Sequence, residues 1–258
     1  MKKIITFMFL TLLLISAKNV FAQEIKITSS DNKSITNANN IVIQEDLFLT
    51  LLNAGYSVDE VYNMTEDELQ NANLTPVEFI TTKYIKTTTI TRGGFTTSID
   101  EEVTEEEYNN ADREPAIIRA QGQSETTYKL LRAMITDFST VSKKYRSYLY
   151  WKTMPSNRSY DIIGIGYQPA YVQYNSYVDF TQIYTQNYVT HTESAYTQKR
   201  TTTGAGATFK LPDGTITTLC QDMYITVVKV DTSATITALT GAGDYAHATD
   251  RKSTRLNS

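Results

Sequence analysis

The sequence predicts an antiparallel β-sandwich preceded by a short helical region, and three observations carry that prediction. From about residue 81 onward, isoleucines, valines and tyrosines alternate with threonines, the two-residue period of a strand with one buried face. Turn chemistry punctuates these runs at Gly93-Gly94 and at Pro212-Asp213-Gly214, where positive φ and a preset proline φ are available. The chain of 258 residues holds 18 tyrosines, a residue type favoured on half-buried pleated surfaces. Six or more short strands joined by such turns imply a sandwich or a barrel, and a sandwich fits best.

In order, "MKKIITFMFLTLLLISAKNVFAQ" places Lys2 and Lys3 before an apolar run from Ile4 to Ile15 and ends in Ala22 ahead of Gln23. That is the grammar of a secretory signal peptide over residues 1–22, so a secreted, extracellular protein is expected. The apolar run falls short of the roughly 20 residues a bilayer requires, so no stable membrane anchor is expected after signal removal. Residues 23–40, rich in Ser, Thr and Asn, read as a flexible leader. Residues 41–80 read as a small helical segment: Leu47, Leu51 and Leu52 recur at helical spacing and stop before Gly55. Ser57 with Glu60, and Thr65 with Glu68, match the capping box, in which a hydroxyl and a carboxylate satisfy free amides at a helix start.

Residues 81–249 form the expected β-sandwich domain. Its first hairpin turns at Gly93-Gly94, and Thr104 caps a helical turn toward Glu107 in the acidic stretch that follows. The segment around Tyr128 to Phe138 is ambiguous. Tyr128, Leu131, Met134, Ile135 and Phe138 fit a helical face, and Arg132 and Asp137 spoil strict alternation, so counting favours a helix. Tyr145, Ser147, Leu149 and Trp151 then make one side of a strand, opposite Arg146, Tyr148, Tyr150 and Lys152. In "YQPAYVQYNSYVDF" the even positions Val172, Tyr174, Ser176, Val178 and Phe180 make a core-like face, while Tyr171 and Tyr177 lie on the wetter one. "ATFKLPDGTITTL" reads as a hairpin, and "DMYITVVKV" and "SATITAL" as strands.

Charge and motif content exclude several function classes. The formal charge of −4 becomes −7 without Lys2, Lys3 and Lys18, and −9 without residues 250–258 as well. Such a surface repels phosphate backbones, so no nucleic-acid partner is expected. Cys220 is the single cysteine and cannot form an internal disulfide; its setting in "TLCQDMYITVV" makes it a packed strand residue. Only His191 and His247 exist, neither with a neighbour at metal-ligand spacing, so no metal and no cofactor are expected. No G-x-S-x-G elbow, Walker or G-x-G-x-x-G pattern is present, and no catalytic residue is assigned. In "GDYAHAT" a buried His247 bonded to Asp244 or to a backbone carbonyl is expected; Asp161, Asp179 and Asp244 are the carboxylates from which a glycosidase pair would be drawn.

At Trp151, Lys152, Pro155, Arg158, Ser159, Asp161, Gly204, Phe209, Leu211, Pro212, Gly243, Asp244, Tyr245 and His247 the chain resembles a group of uncharacterised secreted proteins of Gram-positive bacteria. The resemblance spans about residues 125–249. It implies a β-rich domain in which Leu131 to Ile135 is a strand, and it carries no activity or site residue with it. It also implies a chain that runs on beyond the histidine motif, whereas "DRKSTRLNS" breaks the pattern: Arg251 to Ser258 resemble translated adapter read-through, so residues 250–258 are expected to be a non-native tail.

These readings converge on a secreted, non-catalytic β-sandwich acting as an extracellular binding or structural module. Tyr171, Tyr177 and Trp151 are the candidate contacts for a glycan or a cell-surface protein, because aromatic rings are favoured at interfaces. A pore-forming protein is the alternative, suggested by reading "DFTQIYTQNYVTHTESAYTQKRTTT" as long polar strand, and a secreted hydrolase ranks third.

Overall fold

The computed structural model describes residues 33–77, 79–112, 116–118, 123–137, 142–156, 158–167, 172–233 and 240–248. The expected signal peptide of residues 1–22, the expected non-native tail of residues 250–258 and all but Ser233 of the strand expected at "SATITAL" lie outside them. What is described is mainly β, with antiparallel sheets packed as a sandwich and few helices.

The described part of the chain opens with β1 (Ser34–Thr36) and β2 (Val42–Gln44), a small hairpin turned at Asn40, whose φ is 60°. This hairpin falls partly inside the stretch expected to be a flexible leader. Ile35 is fully buried, and Asn37 braces the turn by accepting from the amides of Asn39 and Ile41. One apolar anchor and an Asx turn order a segment whose composition reads as disordered.

Three short helices follow: α1 (Glu45–Asn53), α2 (Val58–Asn63) and α3 (Glu66–Gln70). Both expected capping boxes form, on Ser57 with Glu60 and on Thr65 with Glu68. Next come β3 (Phe79–Arg92) and β4 (Phe95–Val103), turned at Gly93 and Gly94 with φ of 57° and 82°. After α4 (Glu105–Asn110), capped by Thr104 as expected, lie β5 (Ala116–Ile118), β6 (Gln123–Asp137) and β7 (Ser142–Trp151). The ambiguous segment is therefore strand, as the resemblance implies and against the helical count. The remainder is β8 (Tyr160–Tyr167), β9 (Val172–Gln186), β10 (Val189–Ser194), β11 (Thr197–Arg200), β12 (Gly204–Lys210), β13 (Ile216–Lys229) and β14 (Gly241–Ala248).

The large sheet has eight strands in the order β10-β9-β13-β7-β6-β3-β4, with β5 also paired to β6. A second sheet of four strands runs β11-β12-β8-β14. One core lies between the sheets, where Leu131, Tyr145, Leu149 and Trp151 meet Ile163, Ile165, Ala207 and Phe209. A second core covers the opposite face of the large sheet, where Leu130, Met134, Tyr148 and Cys220 meet Phe48, Leu51, Leu52 and Val61 from the helices. The large sheet is thus the middle of three layers. Val178 packs against the inter-sheet core and Phe180 is buried in it, so that face of β9 is the core face expected of it.

Two turns differ from expectation. Pro212-Asp213-Gly214, with Gly214 at φ 85°, is a turn but not a hairpin, because β12 belongs to the small sheet and β13 to the large one. The chain crosses between layers there, held by Arg158, whose guanidinium donates to the carbonyls of Pro155 (2.7 Å), Pro212 (3.1 Å) and Gly214. The long polar strand behind the pore-forming alternative is instead a hairpin, broken at Asn187 and Tyr188 with φ of 50° and 66°.

Candidate functional site

Among the described residues, a buried polar cluster between the sheets and a groove on the outer face of the small sheet gather polar and aromatic side chains. The cluster centres on Asp161, the second residue of β8, opposite Phe209 on one side and His247 on the other. Asp161 has no exposed surface, yet its carboxylate is fully satisfied. Oδ2 accepts from the Trp151 indole N–H (2.8 Å) and from Gln221 Nε2 (3.0 Å). Oδ1 accepts from the Tyr245 hydroxyl (2.9 Å) and from His247 Nδ1 (2.8 Å). Burial acts to raise the pKa of this carboxyl, but the His247 bond and the neighbouring His247, Lys129 and Trp151 outweigh it and hold the group below its ordinary range.

Lys129 completes the cluster from β6. In the register it faces Trp151 of β7, and its ammonium sits 4.4 Å from the centre of that ring and 4.2 Å from that of Tyr245. Its Nζ donates to the Tyr245 hydroxyl (2.9 Å) and to Thr87 Oγ1, and lies 3.5 Å from Asp100 Oδ1. Burial lowers its pKa from the ordinary 10.5 to about 8, against the raising effect of Asp100 and Asp161. Burial also pushes the Tyr245 hydroxyl well above its ordinary range, reinforced by the Asp161 charge, so it stays protonated.

Trp151, expected as a ligand contact, is therefore an interior residue with no exposed surface, because the large sheet is covered on both faces. Tyr171 lies outside the described residues. Tyr177 lies on β9, but its side chain is outside what is described. His247 is buried with a carboxylate partner, but the partner is Asp161 and not Asp244. Asp244 points outward, 3.9 Å from Lys83. Asp179 is bonded to Thr181 and to the amide of Phe180, apart from this group. Trp151, Asp161, Tyr245 and His247 all stand among the positions that carry the resemblance, and the fold brings them to one point.

The groove lies on the opposite side of the small sheet and encloses about 770 Å³. Alternate residues of β8 and β12 face it, and among them Gly164, Gly166, Gly204 and Gly206 leave its floor without side chains. Gly204 is glycine for packing, since a Cβ there would lie 2.6 Å from the Ile165 carbonyl. A Cβ at Gly164, Gly206 or Gly166 would lie 3.7, 3.5 or 3.8 Å from its nearest neighbour, which is ordinary contact. Among the described residues, no packing demand requires glycine at those three positions. Tyr160 and Tyr196 stand at the groove with ring centroids 5.5 Å apart, and Thr197, Gln198 and Thr208 add hydrogen-bonding groups. Neither tyrosine is a sequence-derived candidate; the period-two glycines of "IIGIG" and "GAGATF" are the sequence signal that marks this face.

Compared with protein-family models, curated proteins and solved structures, the chain finds no match.

Proposed function

We propose that the protein is a secreted, non-catalytic binding module whose ligand is a glycan chain laid along the groove of the small sheet. The observation that carries this reading is the bare floor at Gly164, Gly166 and Gly206, where glycine serves no packing need among the described residues. A glycine at such a strand position fits the close approach of a ligand. The flanking Tyr160 and Tyr196 supply apolar ring faces for sugar C–H groups, while threonine and glutamine side chains suit hydroxyls. The non-catalytic part of the reading is supported by the buried cluster, where each Asp161 oxygen already accepts two hydrogen bonds.

The test is affinity electrophoresis against a panel of soluble bacterial and plant polysaccharides. Retardation by at least one is expected, and Gly164→Val or Tyr160→Ala with Tyr196→Ala should weaken it about tenfold or more, equivalent to roughly 1.4 kcal/mol, with an unchanged melting temperature. A parallel arm with Tyr171→Ala and Tyr177→Ala distinguishes the aromatic segment before and within β9 as the binding face. Binding untouched by the groove variants, or no retardation by any polysaccharide, overturns the proposal.

A further inference from the structure

Lys129 and Asp100 sit two strands apart, on β6 and β4, with β3 between them. In the register Thr87 of β3 lies directly opposite Asp100, and Lys129 is two residues beyond Thr87's partner Thr127. The lysine arm therefore passes over Thr87 to place Nζ 3.5 Å from Asp100 Oδ1. Thr87 Oγ1 contacts both groups: it accepts from Lys129 Nζ and donates to Asp100 Oδ1 at 2.5 Å. The amine has no exposed surface, whereas the Asp100 side chain is about a third exposed, 32 %. On the far side of the amine, the Tyr245 hydroxyl links Nζ to the Asp161 carboxylate through bonds of 2.9 Å each.

We propose that this arrangement is a self-closing site, in which Lys129 Nζ and the Asp100 carboxyl condense to an intramolecular isopeptide bond with release of one water. Thr87 passes one proton from the ammonium to the Asp100 carboxylate, leaving a neutral amine facing a carboxylic acid. The nitrogen lone pair attacks Asp100 Cγ, forming the C–N bond as the C=O π pair moves to oxygen. A second proton passes from nitrogen through Thr87 Oγ1, which touches both groups, to the departing hydroxyl as the C–O bond breaks. Ammonium and carboxylate thus become amide and water, nothing is oxidised or reduced, and Thr87 is regenerated.

Three physical effects favour the step. The amine and the carboxyl are held side by side, Nζ 3.5 Å from Oδ1, which replaces the bimolecular encounter that makes amide formation slow in water. Burial lowers the ammonium pKa to about 8, so the nucleophilic form is accessible near neutrality. Condensation also removes a buried positive charge and its partner, whose desolvation the ion pair must otherwise bear. The partly exposed carboxyl gives the water a way out. The product would tie β6 to the edge hairpin of β3 and β4 in a chain whose single cysteine offers no internal disulfide.

Intact-mass spectrometry of the folded wild-type protein tests this. The expected mass is lower than the sequence mass by one water, with a branched tryptic peptide joining Lys129 to Asp100 and no cleavage after Lys129. Asp100→Asn should close with loss of ammonia instead. Asp100→Ala, at a strand on the sheet edge, and Lys129→Met should each restore the full sequence mass. Should Lys129→Met fail to fold, Asp100→Ala carries the same readout. A full-mass folded wild-type protein overturns the proposal, and so does a water loss mapped elsewhere, such as a succinimide at Asp213-Gly214.

Discussion

Asp161 shows how much one side chain organises here. Each of its oxygens takes two donors, so an amide in its place would turn an NH2 group toward two hydrogens whichever way it is oriented. Asp161→Asn is expected to destabilise by about 3 to 5 kcal/mol in urea titration, the cost of breaking a buried charged network. Because the folded-state pKa is held below its unfolded value, the contribution is complete above the ordinary carboxylate range and is lost as pH falls through and below it. The urea midpoint of the wild type should accordingly drop in acid more steeply than that of the variant. Strand parity explains why the sequence pointed His247 to the wrong partner: residues three apart in a strand face opposite sides, so Asp244 and His247 cannot share one. Parity excludes Asp244, but nothing local selects Asp161, some 86 positions earlier.

At the scale of elements, local chemistry was the most legible. The two capping boxes and the Gly93-Gly94 turn depend on residues within one turn of each other, and all three form. Their energetic weight differs with burial. Ser57 is fully buried, and the amide of Val58 beside it donates to Asp222 (2.9 Å), which also receives Arg146 Nε at 2.7 Å. Thr65 and Glu68 are exposed at the surface. Ser57→Ala should therefore cost about 1 to 2 kcal/mol and Thr65→Ala less than about 1, measured by the same denaturant titration. Elements were misread where tertiary structure sets the pattern. β6 loses its alternation because the sheet is covered on both faces, so Leu130 and Leu131 are both buried. The β9–β10 turn was hidden because Tyr188 adopts φ 66°, a conformation its residue type rarely announces.

For the molecule as a whole, the β-sandwich was legible from alternation and turns, but the third layer was not. Helices at the N-terminus were expected; their packing against the back of the large sheet follows from apolar residues on both faces of β7, which read in isolation as two sides of one strand. That strand lies at the centre of the large sheet and is buried from Lys144 to Trp151. Native-state hydrogen exchange should find its amides the slowest of the protein, and those of the edge strands β4, β10 and β11 among the fastest. The glycine-floored groove was written in the period of "IIGIG" and "GAGATF", but only the pairing of β8 with β12 lays those glycines side by side.

The placement of β14 on β8 has a temporal consequence. Ala248 pairs with Tyr160 and His247 with Asp161, while the strands between them in the chain build much of the other sheet. During synthesis Asp161 must wait for another 84 residues before Tyr245 arrives and 86 before His247 does. Assembly of the small sheet is thus governed by distant partners and belongs among slow-folding topologies, on the scale of milliseconds to seconds. A ribosome-stalled or clipped chain ending before Gly241 would keep the Trp151 and Gln221 donors on Oδ2 of Asp161 but leave Oδ1 without either of its own.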